Sequence, residues 1–357
     1  MLLSRVAWSG LIEDVVDATG IAQREAWLAK VVPPVEQVRP GLWSVPVPMP
    51  DSPLRYVLVY AFERPDGIAI IDTGWPTQEA WDALVAGLAT IGASVTDVRA
   101  TLVTHVHSDH HGLSGRVREA SGAWIGMHAL EAEVLKQGHD PEAVVRRLYR
   151  WVLARGGTDA DATALGGTAD ELRPWLMLAD PDRLIEDGDR PLPELRAVWT
   201  PGHTPGHLCF HDENRGLLFS GDHILPRISP NISLLSDQPD DPLGDFMASL
   251  EKAGGLEADE VLPAHEWRFA GLRERTDDLL RHHEARLAEI RGALAAWPGA
   301  STWHVAERLT WSRTWPEIQG FIRRSAVGET LAHLARLERL GEVVRGPGPV
   351  DAWTLRA

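Results

Sequence analysis

The chain has 357 residues, 44% hydrophobic and 24% charged; this is enough apolar material for a large folded domain with a small one beside it, and it excludes wholesale disorder. The formal net charge of −16, from 51 acidic against 35 basic residues, repels phosphate backbones and argues against nucleic-acid binding. The single cysteine, Cys209, excludes an internal disulfide, and no apolar run reaches the roughly twenty residues of a membrane-spanning helix.

Residues 1–40 read as a helical lead-in broken by Pro33, Pro34 and Pro40. The lone Arg5 and the acidic pair Glu13–Asp14 do not make a secretory leader, so a cytoplasmic location is expected. Strands are predicted over 42–47, 55–63 and 67–72, a helix over 77–91, a buried strand over 98–104 and another over 123–127. Residues 129–180 read as mostly helical, with a loose Gly/Ala/Thr/Asp patch over 155–170 that suggests a mobile loop or lid. A second strand series follows at 194–200, 207–211 and 217–220, then a helix over 245–253 and a short strand over 260–262. Such alternation implies two mixed sheets packed together with helices outside. The catalytic unit is placed at 41–297, closed by a long amphipathic helix over 270–297. Residues 298–357 read as helix, turn, helix, longer helix and two short strands, a winged-helix-like order.

The chemistry concentrates where strands end. Thr104-His105-Val106-His107-Ser108-Asp109-His110 sets potential metal ligands into one tight turn. Three further strand-end turns bring His203, Asp222 and His265. Neutral imidazole nitrogen and anionic carboxylate oxygen suit zinc and related ions, and no thiolate lies among them, so a cysteine-rich structural zinc site is excluded. Mixed His/Asp ligation with room for water reads as catalytic.

These motifs resemble the metallo-β-lactamase superfamily. The signature H-x-H-x-D-H is matched by His105, His107, Asp109 and His110, and the later motifs by His203, Asp222 and His265. The resemblance implies an α/β fold, a four-layer αββα sandwich. It also implies that His105, His107 and His203 bind one metal and that Asp109, His110 and His265 bind a second, with Asp222 bridging. The Asp72-Thr73-Gly74 turn is similar to the family's first motif, whose aspartate supports the ligands. The tail is more loosely similar to the winged-helix extension of the β-lactamase-like protein 2 subgroup.

Two close divalent cations, zinc above all and iron or manganese as alternatives, can share a water and lower its pKa from about 15.7 to roughly 7. A dinuclear hydrolase using that metal-bound hydroxide is therefore expected, with Asp109 orienting the water or accepting its proton. The small-molecule substrate is expected to be a thioester, ester or lactone. The alternatives are a metal-dependent endoribonuclease or phosphodiesterase, for which the tail speaks and the charge does not, and an iron redox enzyme on the same ligands. His223, Arg227 and Asn231, beside or after the bridging turn, are candidate substrate contacts. His111 and His207 are read as supporting residues, and the tail as a packing or pocket-lining element that could also make a homodimer contact.

Overall fold

The computed structural model describes residues 15–50, 52–235 and 240–356. The first half of the expected lead-in, with Arg5, Glu13 and Asp14, lies outside them. Its second half holds a two-residue strand, Asp17–Ala18, and a helix, Ile21–Ala29.

Two mixed sheets lie face to face. The first runs Glu36–Arg39, Leu42–Pro48, Tyr56–Arg64, Gly67–Ile71, Val98–Leu102, Trp124–Met127 and Arg183–Leu184. Its first four strands are antiparallel neighbours, and the pairing turns parallel from Gly67–Ile71 onward. The second runs Asp17–Ala18, Phe269–Ala270, Glu260–Pro263, Leu217–Gly221, Leu208–Asp212 and Arg196–Trp199, with Leu217–Gly221 and Glu260–Pro263 parallel.

Side chains alternate between faces along each strand. Leu217 and Phe219 point into the inter-sheet core with Tyr60, Phe62, Leu102 and Leu262, whereas Leu218 points outward to Phe246, Leu250 and Val261. Tyr60 and Phe62 meet Phe219 at ring-centroid distances of 5.2 and 5.3 Å. On the outer face of the first sheet, Leu84 and Leu88 of helix Gln78–Thr90 cover Val45, Val59 and Ile70. Helices Pro242–Gly254 and Leu272–Ala296 cover the second sheet. The result is a helix–sheet–sheet–helix sandwich.

The parallel pairs matter for function. They bring the C-terminal ends of Gly67–Ile71 and Val98–Leu102 to one edge, and those of Leu217–Gly221 and Glu260–Pro263 to the facing edge. Backbone bonds stitch the two sheets there: Leu58 N–H to Ala264 O at 2.7 Å and Leu208 N–H to Thr104 O at 2.8 Å.

The patch at 155–170 is not a loose loop. Thr158 with Asp161 and Thr168 with Glu171 form capping boxes, and these start helices Asp159–Gly166 and Ala169–Leu176. In the tail, helix Thr302–Ala306 is followed by a 3₁₀ turn at Trp315–Glu317, in place of the second helix that the sequence predicts, then by helix Gly320–Arg339 and a hairpin of Val343–Arg345 with Trp353–Leu355. No helix among the described residues is long and apolar enough to cross a membrane.

Candidate metal centre

Every candidate ligand sits just past a strand end on the shared edge. Among the described residues, potential ligand atoms gather into three overlapping groups: His105–His107–His203, His105–His110–Asp222 and Asp109–His110–His265.

In the first group His107 Nδ1 lies 2.9 Å from His105 Nε2 and 3.1 Å from His203 Nε2. Nitrogens around a tetrahedral zinc, with Zn–N near 2.0–2.1 Å, stand about 3.3 Å apart. The outer ring nitrogens set the tautomers. His203 Nδ1–H donates to Asn231 O at 2.8 Å, which leaves Nε2 as a lone pair. The Thr104 hydroxyl gives its proton to the Asp72 carboxylate and so accepts from His105 Nδ1–H at 3.0 Å. One proton on His107 can satisfy one of its two contacts, whereas a cation would satisfy all three lone pairs. Burial, and then the neighbouring His110, hold His105 well below the ordinary histidine pKa, so the pocket rejects protons.

The second group is built the same way. His110 Nδ1–H donates to Asp72 Oδ2 at 2.8 Å, and His265 Nδ1–H to Tyr56 O at 2.9 Å. Each Nε2 then faces carboxylate oxygen: His110 at 3.6 Å from Asp109 Oδ2 and 3.5 Å from Asp222 Oδ1, His265 at 3.4 and 3.3 Å from the same two atoms. His110 Nε2, His265 Nε2 and Asp222 Oδ1 are buried without a hydrogen-bond partner among the described residues. Buried unpaired lone pairs are costly, and a cation between them removes the cost. Burial opposes protonation of His110, but Asp109, Asp222 and Asp72 outweigh it and raise its pKa well above the ordinary value. This half of the site attracts positive charge, and the residues fit a divalent ion.

Asp222 faces both groups: Oδ1 looks to His110 and His265, and Oδ2 lies 3.7 Å from His203 Nε2. Its backbone N–H donates to His207 Nε2 at 3.2 Å, and His207 Nδ1 lies 2.9 Å from Thr200 Oγ1. Gly202, at φ 133°, passes so close to Phe246 that a Cβ would fall 2.4 Å from the Phe246 Cβ; only glycine lets the His203 turn sit there. His107 is exposed while His105, His110 and His265 are buried, so the site opens on the His107 side.

The structure places the three candidate substrate contacts in different surroundings. His223 is fully buried with its ring 4.9 Å from Phe246, because the side chain after the inward Asp222 turns to the opposite face. The Arg227 guanidinium is tied to Glu266 Oε1 at 2.7 Å. Asn231 serves His203 through its backbone carbonyl, and its side chain accepts from Ser233 Oγ at 3.0 Å. His111 is buried between Ser114 Oγ at 2.8 Å and Ala179 O at 2.7 Å.

The fold and the donor set together define a metal-dependent hydrolase class, and comparison with known proteins agrees. Residues 52–265 match the metallo-beta-lactamase superfamily, and the chain belongs to it. A probable metallo-hydrolase of Bacillus subtilis, YqjP, is 27% identical over 259 residues, 67% of this chain and 79% of that protein. The bovine acyl-coenzyme A thioesterase MBLAC2 is 31% identical over 228 residues, 60% of this chain and 72% of the relative. A crystal structure of a metallo-beta-lactamase family protein from Thermus thermophilus superposes with a TM-score of 0.78 at 32% identity, covering 90% of this chain and all (100%) of the other.

Proposed function

We propose that the protein is a dinuclear metallo-hydrolase of acyl-thioesters. The observation that carries the two-ion reading is the placement of Asp222, whose two oxygens face two different histidine groups. His105, His107 and His203 would hold one ion, Asp109, His110 and His265 the other, and Asp222 would bridge them. The nitrogen-only first group suits zinc. When bound, such ions supply Lewis acidity and a water that ionises near neutral pH.

The chain's own groups do the rest. Asp109 Oδ2 faces His110 and His265, while Oδ1 makes no hydrogen bond among the described residues and can accept the proton of an attacking water. Asp72, Tyr56 O and Asn231 O hold the imidazoles in the tautomer that points a lone pair inward. A C–O bond forms at the acyl carbon, the C–S bond breaks, and the thiolate leaves and takes up a proton. Thioester is preferred over phosphodiester because of the likeness to an acyl-coenzyme A thioesterase.

Thiol release from acyl-coenzyme A and acyl-glutathione panels tests the reading. Metal-replete wild type should release thiol, chelation should abolish release, and Asp109→Ala should lower kcat/KM by roughly 10²–10⁴-fold. A metal-replete protein silent on every thioester would rule out this substrate class.

A further inference from the structure

The helical segment that follows strand Trp124–Met127 contains one carboxylate with an unusual position. Glu131, in the first turn of helix Ala129–Gly138, is fully buried. Its Oε2 accepts from Val106 N–H at 2.6 Å, and its Oε1 accepts from Gly206 N–H at 2.7 Å. Val106 lies between His105 and His107, and Gly206 lies in the turn that carries His203. One side chain thus ties the two turns that make up the three-histidine group, and these turns come from different sheets. A buried carboxylate accepting two backbone N–H groups makes strong, charge-assisted bonds that fix its partners closely.

The packing around Gly206 agrees. A Cβ there would stand 2.8 Å from Glu131 N, 2.9 Å from Glu131 Cγ and 2.9 Å from His128 Nδ1. The His203 turn is pressed against the start of this helix so closely that any larger residue must push it away. On its other side the turn is held by Ser249 Oγ–H to Pro201 O at 2.9 Å. Asp109 and His110 share the turn tied at Val106, but their end of it is held separately, by Thr73 N–H and Oγ–H to His110 O at 2.8 and 2.9 Å and by Asp72. His265 comes from the turn after Glu260–Pro263 and is oriented by Tyr56 O.

We infer that Glu131 is a positioning residue for the three-histidine metal subsite: it holds the His105–His107 turn and the His203 turn at the spacing one ion needs, and it leaves the other subsite largely alone. Through it, the helical insert reaches the metal site without touching metal or substrate. This rests on the two-ion reading above. Glu131→Gln keeps the size but sets an amide NH₂ against one of the two N–H donors, so one tie is lost. Gly206→Ala displaces the same turn from the other side.

Zinc binding to the metal-free protein, measured by competition with a chromophoric chelator, tests the inference. His265→Ala serves as a background that keeps the three-histidine subsite, and His203→Ala as one that keeps the other. Glu131→Gln and Gly206→Ala should each weaken zinc by about 10–100-fold in the His265→Ala background. In the His203→Ala background each should change it by less than about threefold. Equal weakening in both backgrounds would show general loss of structure, and no weakening in either would show that the tie is idle; both overturn the inference. Failure of wild type itself to bind two zinc ions would instead overturn the two-ion reading.

Discussion

Asp72 sits at φ 60°, a left-handed conformation that a residue with a Cβ rarely enters. Its carboxylate takes Thr104 N–H at 2.8 Å and His110 Nδ1–H at 2.8 Å, so the strained turn places one anion directly behind His110 and, through the Thr104 hydroxyl, behind His105. Asp72→Asn keeps the size and removes the charge that fixes the His110 tautomer. Zinc affinity at the Asp109–His110–His265 group should fall by about 10–100-fold in chelator competition; unchanged affinity would show that the backbone alone positions His110. A second residue-scale case lies away from the site. Ser229, His283 and His333 form a buried neutral relay: Ser229 Oγ lies 3.4 Å from His283 Nε2, His283 Nδ1 lies 3.2 Å from His333 Nε2, and His333 Nδ1–H donates to Glu329 O at 2.8 Å. Burial above all pushes His333 down to about 3 and His283 well below the ordinary 6.5. The unfolded chain takes up these protons near 6.5 and the folded chain does not. Their neutral form therefore stabilises fully above pH 6.5, and stability drops as pH falls below it, by up to about 1.4 kcal/mol per pH unit per histidine. His333→Gln should flatten the decline in urea midpoint between pH 7 and 5 relative to wild type, and parallel declines would refute the assignment.

At the scale of elements, the insert between Trp124–Met127 and Arg183–Leu184 is a set of short helices whose stability is uneven. Pro141–Ala154 buries Val144, Leu148, Trp151 and Val152. Ala169–Leu176 buries none of its residues and carries Pro174 in its interior. Its ties are the Thr168 capping box, the exposed ion pair of Arg173 with Glu142 at 3.2 Å and the edge contact of Trp175 with Trp75 at 5.1 Å. Local opening follows the density of buried contacts. In hydrogen exchange the amides of 169–176 should therefore exchange well before those of 141–154, and Thr168→Ala should speed them further, by removing about 1 kcal/mol of capping. Equal protection in the two helices would contradict this ranking. This helix borders the metal edge through Trp75, which follows the Asp72-Thr73-Gly74 turn.

For the whole molecule, the tail is packed into the structure rather than appended to it. One hydrophobic cluster joins Trp151 and Val152 of the insert, Phe246 and Leu250 behind the second sheet, and Trp303, Val327, Leu331 and Trp353 of the tail. Inside that junction Arg155 pairs with Asp351 at 3.1 Å, both side chains essentially buried, and Asp351 also takes Thr302 N–H at 2.9 Å and Thr302 Oγ–H at 2.6 Å. Removing one partner of a buried pair leaves the other charge uncompensated. Arg155→Leu should lower unfolding free energy by roughly 3–5 kcal/mol in urea titration. A loss under about 1 kcal/mol would show that Thr302 alone satisfies Asp351.

The amino-acid order by itself determined the superfamily, the sandwich and the set of candidate ligands, because each ligand cluster is a short local motif at the end of an apolar strand. Local order also carried the capping boxes at Thr158 and Thr168, where composition alone suggested a loose patch. What only the tertiary structure decided are relations between distant backbone groups. Glu131 carries no motif; its partners, Val106 and Gly206, are 25 and 75 residues away and meet it only once the two sheets have packed. The carbonyls of Tyr56 and Asn231 that orient His265 and His203 leave no trace in residue identity, since every residue has a carbonyl. For the same reason His223 looked available beside Asp222, and only the direction of the folded turn placed its ring in the core.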